Sequence, residues 1–341
     1  MRRVLDSLHR IIARRRFVNL CRIYRIGYAK YYYTHLNLVE KVIALNRGLK
    51  FFGVVTSLGM ILVLLQGAIV TKTDSGDGCG DTWPLCFGEV IPSSTALATL
   101  IEYSHRLVSG FVGLLVIILA IWSWKKLSHV KETNFWALMA VLFIIFQGMM
   151  GAAAVVFGHS NIVLALHFGI SAISLATVVI LTILAFEDGH NPPAPRVRKG
   201  FRNYLFFVLV YAYLVIYTGA YVKHTGSTYA CTSFPFCDPV ASSMTLQTIV
   251  QIVHRSAAIL LVVLLIILAI KAIRYYRESK ALTVCAWLSV VLVFIQATAG
   301  VLIVMLPQYY MATALTHSLV VSMMFTILCY MAMISVRKPA Y

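Results

Sequence analysis

Charge is what this chain has least of. Only 12% of its 341 residues are Asp, Glu, Lys or Arg, and acids are the scarcest, 12 against 29 bases. With 60% hydrophobic residues and a mean hydropathy of +0.84, the composition excludes an ordinary soluble domain, whose apolar share is about one half. It describes a polytopic membrane protein. The formal net charge of +17 would suggest nucleic acid in a soluble protein. Here Lys and Arg stand beside apolar runs, where they report topology, and no nucleic-acid partner is expected.

A spanning helix needs about 20 mostly apolar residues. Eight windows meet that, at 51–71, 102–124, 134–156, 161–186, 203–222, 248–273, 280–305 and 311–334. The predicted fold is all-α, with eight transmembrane helices. Bases follow the even windows: Lys125, Lys126 and Lys131; Arg196, Arg198, Lys199 and Arg202; Lys271, Arg274, Arg277 and Lys280; Arg337 and Lys338. Those segments and both termini are expected in the cytoplasm. The alternate connections hold only Lys72 and Lys223, and the first also holds Asp74, Asp77, Asp81 and Glu89. They are expected outside.

Cysteine usage agrees. Cys79 and Cys86 share the first outer loop, and Cys231 and Cys237 share the third. Outside the cytoplasm such pairs oxidise, and the repeated arrangement favours a disulfide in each loop over unpaired structural cysteine. Cys21, Cys285 and Cys329 are not expected to pair. Residues 1–50 form a basic arm with twelve Lys and Arg against Asp6 and Glu40. The arm suits an amphipathic stretch on an anionic lipid surface and equally a start-site extension. It lacks the order of a signal peptide.

The second half repeats the first. Gly67-Ala-Ile-Val-Thr-Lys-Thr73 aligns with Gly219-Ala-Tyr-Val-Lys-His-Thr225, and Ser75 with Ser227. The two cysteine loops then coincide, as do His105-Arg106 with His254-Arg255, Gln147 and Gly151 with Gln296 and Gly300, and His167 with His317. Fixed landmarks across four helices are a duplication signal. An even number of crossings makes the repeats parallel, so two four-helix bundles are expected at 51–187 and 203–335. Between them runs the linker 188–202, with Asn191-Pro-Pro-Ala-Pro195, and residues 336–341 form a cytoplasmic tail. The small residues around Gly151 and Gly300 read as close helix packing.

An ionisable side chain in a spanning helix is expensive and functional by default. His105 with His167, and His254 with His317, all fall at similar depth near the outer face. Histidines from the second and fourth helices of a bundle can face each other across its interior, and bis-imidazole ligation of a heme iron fits. A lone histidine is more often a hydrogen-bonded core residue; four at equivalent depth are not. Zinc is the rival, since imidazole suits several metals, yet two histidines per half fall short of a four-ligand cage.

The halves differ at one acid. Glu102 lies three residues before His105 and shares its helix face, whereas Gln251 precedes His254. Glu102 is either a solvated or ion-paired residue at the helix mouth, with Arg106 as partner, or a proton donor, acceptor or cation stabiliser beside a substrate. Arg106, Arg255, Lys72 and Lys223 are candidates to hold heme propionates; interfacial anchoring explains each as well.

The run Gly67 to Cys86, with Glu102-Tyr-Ser-His105-Arg106, resembles the heme A synthase family in its Bacillus-like bacterial type. Tyr217-Thr-Gly-Ala-Tyr-Val-Lys-His224-Thr, Pro235-Phe-Cys237 and Ala165-Leu-His167-Phe-Gly resemble it too, over residues 50 to 335. The resemblance implies an enzyme of the bacterial cell membrane that oxidises the C8 methyl of heme O to the formyl of heme A by successive hydroxylations. It implies a resident heme b on His254 and His317, heme O on His105 and His167, and Glu102 near the reacting edge. The Cys79 and Cys86 pair is one the family associates with activity. Contact with a heme O synthase and homo-oligomerisation stay open. The histidines alone would equally explain a diheme b-type electron carrier. A histidine-relay transporter fits the repeats but lacks intramembrane Asp or Lys partners.

Overall fold

The computed structural model describes residues 47–158, 160–188, 195–235, 237 and 244–337. The basic arm up to residue 46, Cys21, the proline run 191–194 and the tail from Lys338 lie outside the described residues. Among those described, eight helices are long and apolar enough to cross a membrane. They are α1 (Arg47–Lys72), α2 (Leu97–Lys126), α3 (Thr133–Val156), α4 (Asn161–Glu187), α5 (Lys199–His224), α6 (Leu246–Tyr275), α7 (Lys280–Met305) and α8 (Tyr310–Val336). Short 3-10 turns stand at Ser227–Tyr229 and Pro307–Tyr309. The only β pairing among the described residues is an isolated bridge between Cys86 and Glu89. The protein is an all-α, multi-pass membrane protein.

Helices suit this sequence because a backbone in lipid must satisfy its own polar groups. Buried hydroxyls are drawn into the same economy. In α8, Ser318, Ser322 and Thr326 each donate to the carbonyl four residues earlier, at 2.8–2.9 Å.

Within the body formed by residues 52–341, sequential helices pack as neighbours, and α4 and α8 form the centre. Both are mostly buried. Each also touches the other half: α4 packs on α8 and α5, and α8 receives a hydrogen bond from Lys72 at the end of α1. The centre is lined by small side chains such as Ala165, Gly169, Ala172, Ala314 and Ser318, which let backbones approach. The two bundles are parallel repeats, and their outer turns match in detail. Thr73 Oγ1 pairs with Ser75 Oγ at 2.7 Å, and Thr225 Oγ1 with Ser227 Oγ at 2.7 Å.

The helices overrun the expected windows mainly at α2, which begins at Leu97, and α5, which begins at Lys199. The first turn of α5 is basic, with Lys199 and Arg202; that of α2, Leu97-Ala-Thr-Leu-Ile101, is apolar and lies before the expected window, which begins at Glu102. On the basic side the halves are clamped by charge. Arg337 holds Glu187 at the end of α4 at 2.5 Å and Glu132 before α3 at 3.1 Å. Tyr330 donates to the same Glu187 carboxylate at 2.7 Å. Replacing Arg337 by Ala leaves two mostly covered carboxylates without their cation and is expected to cost about 1–3 kcal/mol. The measurement is the unfolding midpoint in detergent, which should fall; an unchanged midpoint would show the clamp to be idle.

A candidate two-heme site built on four histidines

Each of the four histidines packs on a glycine of the preceding helix. A Cβ built on Gly67 would stand 3.2 Å from His105 Cε1, on Gly151 3.4 Å from His167 Cε1, on Gly219 2.8 Å from His254 Cε1 and on Gly300 3.2 Å from His317 Cε1. The small residues of α3 and α7, read from the sequence as packing alone, therefore also seat the rings. His105 and His254 each lie eight residues into their helices, after Leu97 and Leu246, about 12 Å along the axis. His105 is within electrostatic reach of His167, and His254 of His317. Their helices stand diagonally: α2 barely touches α4, and α6 and α8 are not close neighbours.

Among the described residues no three or more His, Cys, Asp or Glu gather where a bare ion could sit. Two imidazoles per half supply two ligands, so a metal held there would need a group such as a porphyrin to supply the rest. The donor set of each half fits that group.

The two pairs are not held alike. In the second half, His317 Nδ1 donates to the Gln296 carbonyl at 3.0 Å. His254 Nδ1 lies 3.1 Å from Thr218 Oγ1, whose own hydroxyl donates to the Val215 carbonyl at 2.9 Å. With the proton on Nδ1, both rings keep the Nε2 lone pair for a metal, and such outer partners fix ring orientation and raise basicity. In the first half, His105 Nδ1 and His167 Nδ1 are buried with no partner, as is Gln66 Oε1; Gln147 Oε1 and its second-half counterpart Gln296 Oε1 are both without one and do not distinguish the halves. His167 Nε2 instead meets the Gln147 amide nitrogen at 3.2 Å. Gln66 occupies the repeat position of Thr218, so one substitution separates an oriented ring from an unoriented one.

Glu102 is not at a helix mouth. Because α2 starts at Leu97, Glu102 sits in the second turn and is 4% exposed. Its Oε2 accepts from the Cys79 amide at 2.8 Å, and its Oε1 accepts from Arg106 Nε and Nη2 at 3.0 and 2.5 Å. The ion pair expected with Arg106 is present, but it is buried, and it ties the carboxylate to the loop closed by Cys79–Cys86 (S–S 2.08 Å). Arg106 Nη1 also donates to the carbonyls of Thr82 and Leu85 at 2.7 and 2.6 Å.

The second half repeats this clamp without the charge. Gln251 donates to the Thr228 carbonyl at 2.9 Å, and Arg255 to the carbonyls of Ser233 and Cys231 at 2.6 and 2.8 Å. The Cys231–Cys237 sulfurs are 2.13 Å apart. Cys285 and Cys329 are unpaired thiols. Of the four cations offered for propionates, Arg106 and Arg255 are thus turned onto loop carbonyls. Lys72 reaches Ser318 Oγ at 3.4 Å, and Lys223 lies 6.0 Å from the Tyr310 ring. Sequence reasoning gave no part to Thr218, Gln66, the Gln296 carbonyl or the ring-seating glycines. The Gln66 to Thr218 mismatch beside an aligned glycine was the signal available.

Residues 50–329 match a family model described as COX15-CtaA, cytochrome oxidase assembly protein. A heme A synthase of Halalkalibacterium halodurans is 55% identical over 298 residues, 87% of this chain and 100% of the relative. One of Shouchella clausii is 53% identical over 301 residues, again 87% and 100%. One of Bacillus licheniformis is 43% identical over 297 residues, 86% and 98%. On the match over residues 50–329 and on these identities, this eight-helix chain belongs to the COX15-CtaA family of cytochrome oxidase assembly proteins.

Proposed function

We propose that this chain is a heme A synthase, an oxidoreductase that converts the C8 methyl of heme O to the formyl of heme A by successive hydroxylations and loss of water from the hydrate. The observation that carries the division of labour is the unequal holding of the two histidine pairs. His254 and His317, each with an Nδ1 partner, suit a permanent cofactor, heme b. His105 and His167, left among unpaired polar atoms, suit a substrate that enters and leaves. Residues 51–187 are then the substrate half and 203–335 the cofactor half, joined by the linker 188–202 and flanked by the basic arm and the tail.

Bound heme b supplies electron transfer, which imidazole and carboxylate cannot. The remaining work falls to the chain. His105 and His167 orient heme O by its iron. Glu102 keeps a negative charge one turn from His105, where it stabilises positive charge developing at the methyl carbon or takes a proton from attacking water. Arg106 and the Cys79 amide hold that carboxylate in place, and the Cys79–Cys86 loop holds the amide. Lys72 and Lys223 are the cations left to meet propionates. The bases at the inner helix ends favour a bacterial cell membrane with both termini in the cytoplasm. A substrate as apolar as heme O favours handover from a heme O synthase in contact, and a homo-oligomer is compatible with the exposed apolar helix faces. A diheme electron carrier would account for the unequal pairs as a difference in potential, but it gives Glu102 no role and changes neither porphyrin.

Glu102→Gln should retain both pigments yet lower formyl production roughly 10²–10⁴-fold, read by pigment extraction from membranes supplied with heme O. Normal formation of heme A in that variant would remove Glu102 from the chemistry. Thr218→Val keeps the shape but removes the Nδ1 partner of His254; heme b retention should weaken roughly tenfold, with a shifted midpoint potential. Gly219→Ala, with its Cβ at 2.8 Å from His254, should empty the second half of heme, whereas Gly151→Ala, at 3.4 Å, should leave pigment content near normal. Equal pigment in both glycine variants would argue against the seating role.

A further inference from the structure

The loop between α1 and α2 and the open face of α2 enclose a groove of about 480 Å³, within the range of ligand pockets, about 300–1,000 Å³. Leu85 and Val90 of the loop and Leu107 and Phe111 of the helix give it apolar walls, and Tyr103 adds one phenol. Gly110 lies among them, and a Cβ built there would meet nothing within 4 Å. The repeat places Ile259 of α6 at the position of Gly110, and Ile252 at that of Tyr103. The second half thus carries a branched side chain where the first leaves room. Arg106 joins the groove to the site. Its side chain lines the groove, while its guanidinium pairs with Glu102 and holds the Leu85 carbonyl. Along α2 it falls between the core face of Glu102 and Val112 and the open face of Tyr103 and Gly110.

Two axial imidazoles fix the iron of a porphyrin but not the rotation of the ring about the line between them, so they cannot choose which methyl meets Glu102. A contact at the ring's edge must choose it. Heme O differs from heme b in bearing a hydroxyethylfarnesyl chain in place of one vinyl group, on the pyrrole next to the one that carries the C8 methyl. We propose that the groove takes the farnesyl chain of heme O and so sets the rotation of the porphyrin, with Gly110 as the position that admits the chain. The inference rests on the reading of the first half as the substrate half. The half assigned to heme b, which has no such chain, has Ile259 in place of Gly110, a difference that played no part in that assignment. Hydrocarbon outside is as apolar as the groove, so the chain gains contact and direction more than transfer free energy. Modest affinity with a fixed orientation suits a substrate whose product must leave.

The test uses the full chain, purified with its resident heme from membranes without a heme O source and then titrated with heme O or with added heme b as a chainless probe. The unaltered chain should prefer heme O to the probe roughly tenfold, about 1.4 kcal/mol. Gly110→Ile, which installs the residue of α6, should bring heme O down to the probe. Val90→Trp, which fills the groove from the loop and leaves α2 intact, should do the same. In both variants the resident heme should stay, and oxidation of the heme O that still binds should fall on the order of 10²-fold, as for a reacting group displaced by about 1 Å. Gly110→Ala and Ile259→Gly should keep the preference. No preference in the unaltered chain, or a preference that survives both filling variants, would overturn the proposal and leave the groove to a lipid chain. His105→Ala and His254→Ala separate the two layers. Heme O binding lost only in the first, with the preference surviving Gly110→Ile, removes the groove and keeps the halves. Heme O binding lost only in the second overturns the assignment of halves and the groove with it.

Discussion

Four imidazole rings can stand inside this bundle because the neighbouring helix presents bare backbone to each. The space that Gly67, Gly151, Gly219 and Gly300 leave open is the space the rings occupy. In water a glycine in a helix interior costs about 1 kcal/mol relative to alanine. In hydrocarbon nothing competes for the helical hydrogen bonds, so the cost of opening that space is smaller and the site can be built inside the span. The position of each ring follows from it.

Around that common frame, duplication supplied two copies of a clamp and divergence adjusted what surrounds each ring. The arginine after each outer histidine fastens the disulfide loop in both halves. The residue before each first glycine, Gln66 or Thr218, decides whether the ring is oriented. The residue three before the histidine, Glu102 or Gln251, decides whether a charge stands beside it. Two of these positions thus differ between the halves; on the proposed reading, these differences set a substrate site apart from a cofactor site.

The sequence made the fold readable to the extent that hydrocarbon dictates it. The eight spans and the parallel repeats followed from apolar length and landmark spacing. Where α5 extends back to Lys199, its first turn is basic and hydropathy has nothing to report; α2 extends back through the apolar Leu97-Ala-Thr-Leu-Ile101, which the expected window leaves out. The histidines were legible because the duplication wrote them twice. The pairing of Arg106 with Glu102 was legible, but the hold of Arg106 and Arg255 on the loops was not, since those partners are main-chain carbonyls that any residue could provide. The same holds for Gln296, whose carbonyl, and not its side chain, holds His317. Glu102 was recognised by its mismatch with Gln251, but its burial depended on where α2 begins, a boundary that the apolar pattern left five residues short.

The clamp at Arg337 bears on how the chain is made. Glu187 waits for a cation 150 residues further along, and Glu132 for the same one 205 residues further along. As the polypeptide leaves the ribosome, both acids are made long before the arginine that pairs with them in the finished chain. The clamp that fastens the end of α8 to the ends of α3 and α4 therefore closes only when residue 337 has been made, so it is the last of these contacts to become available.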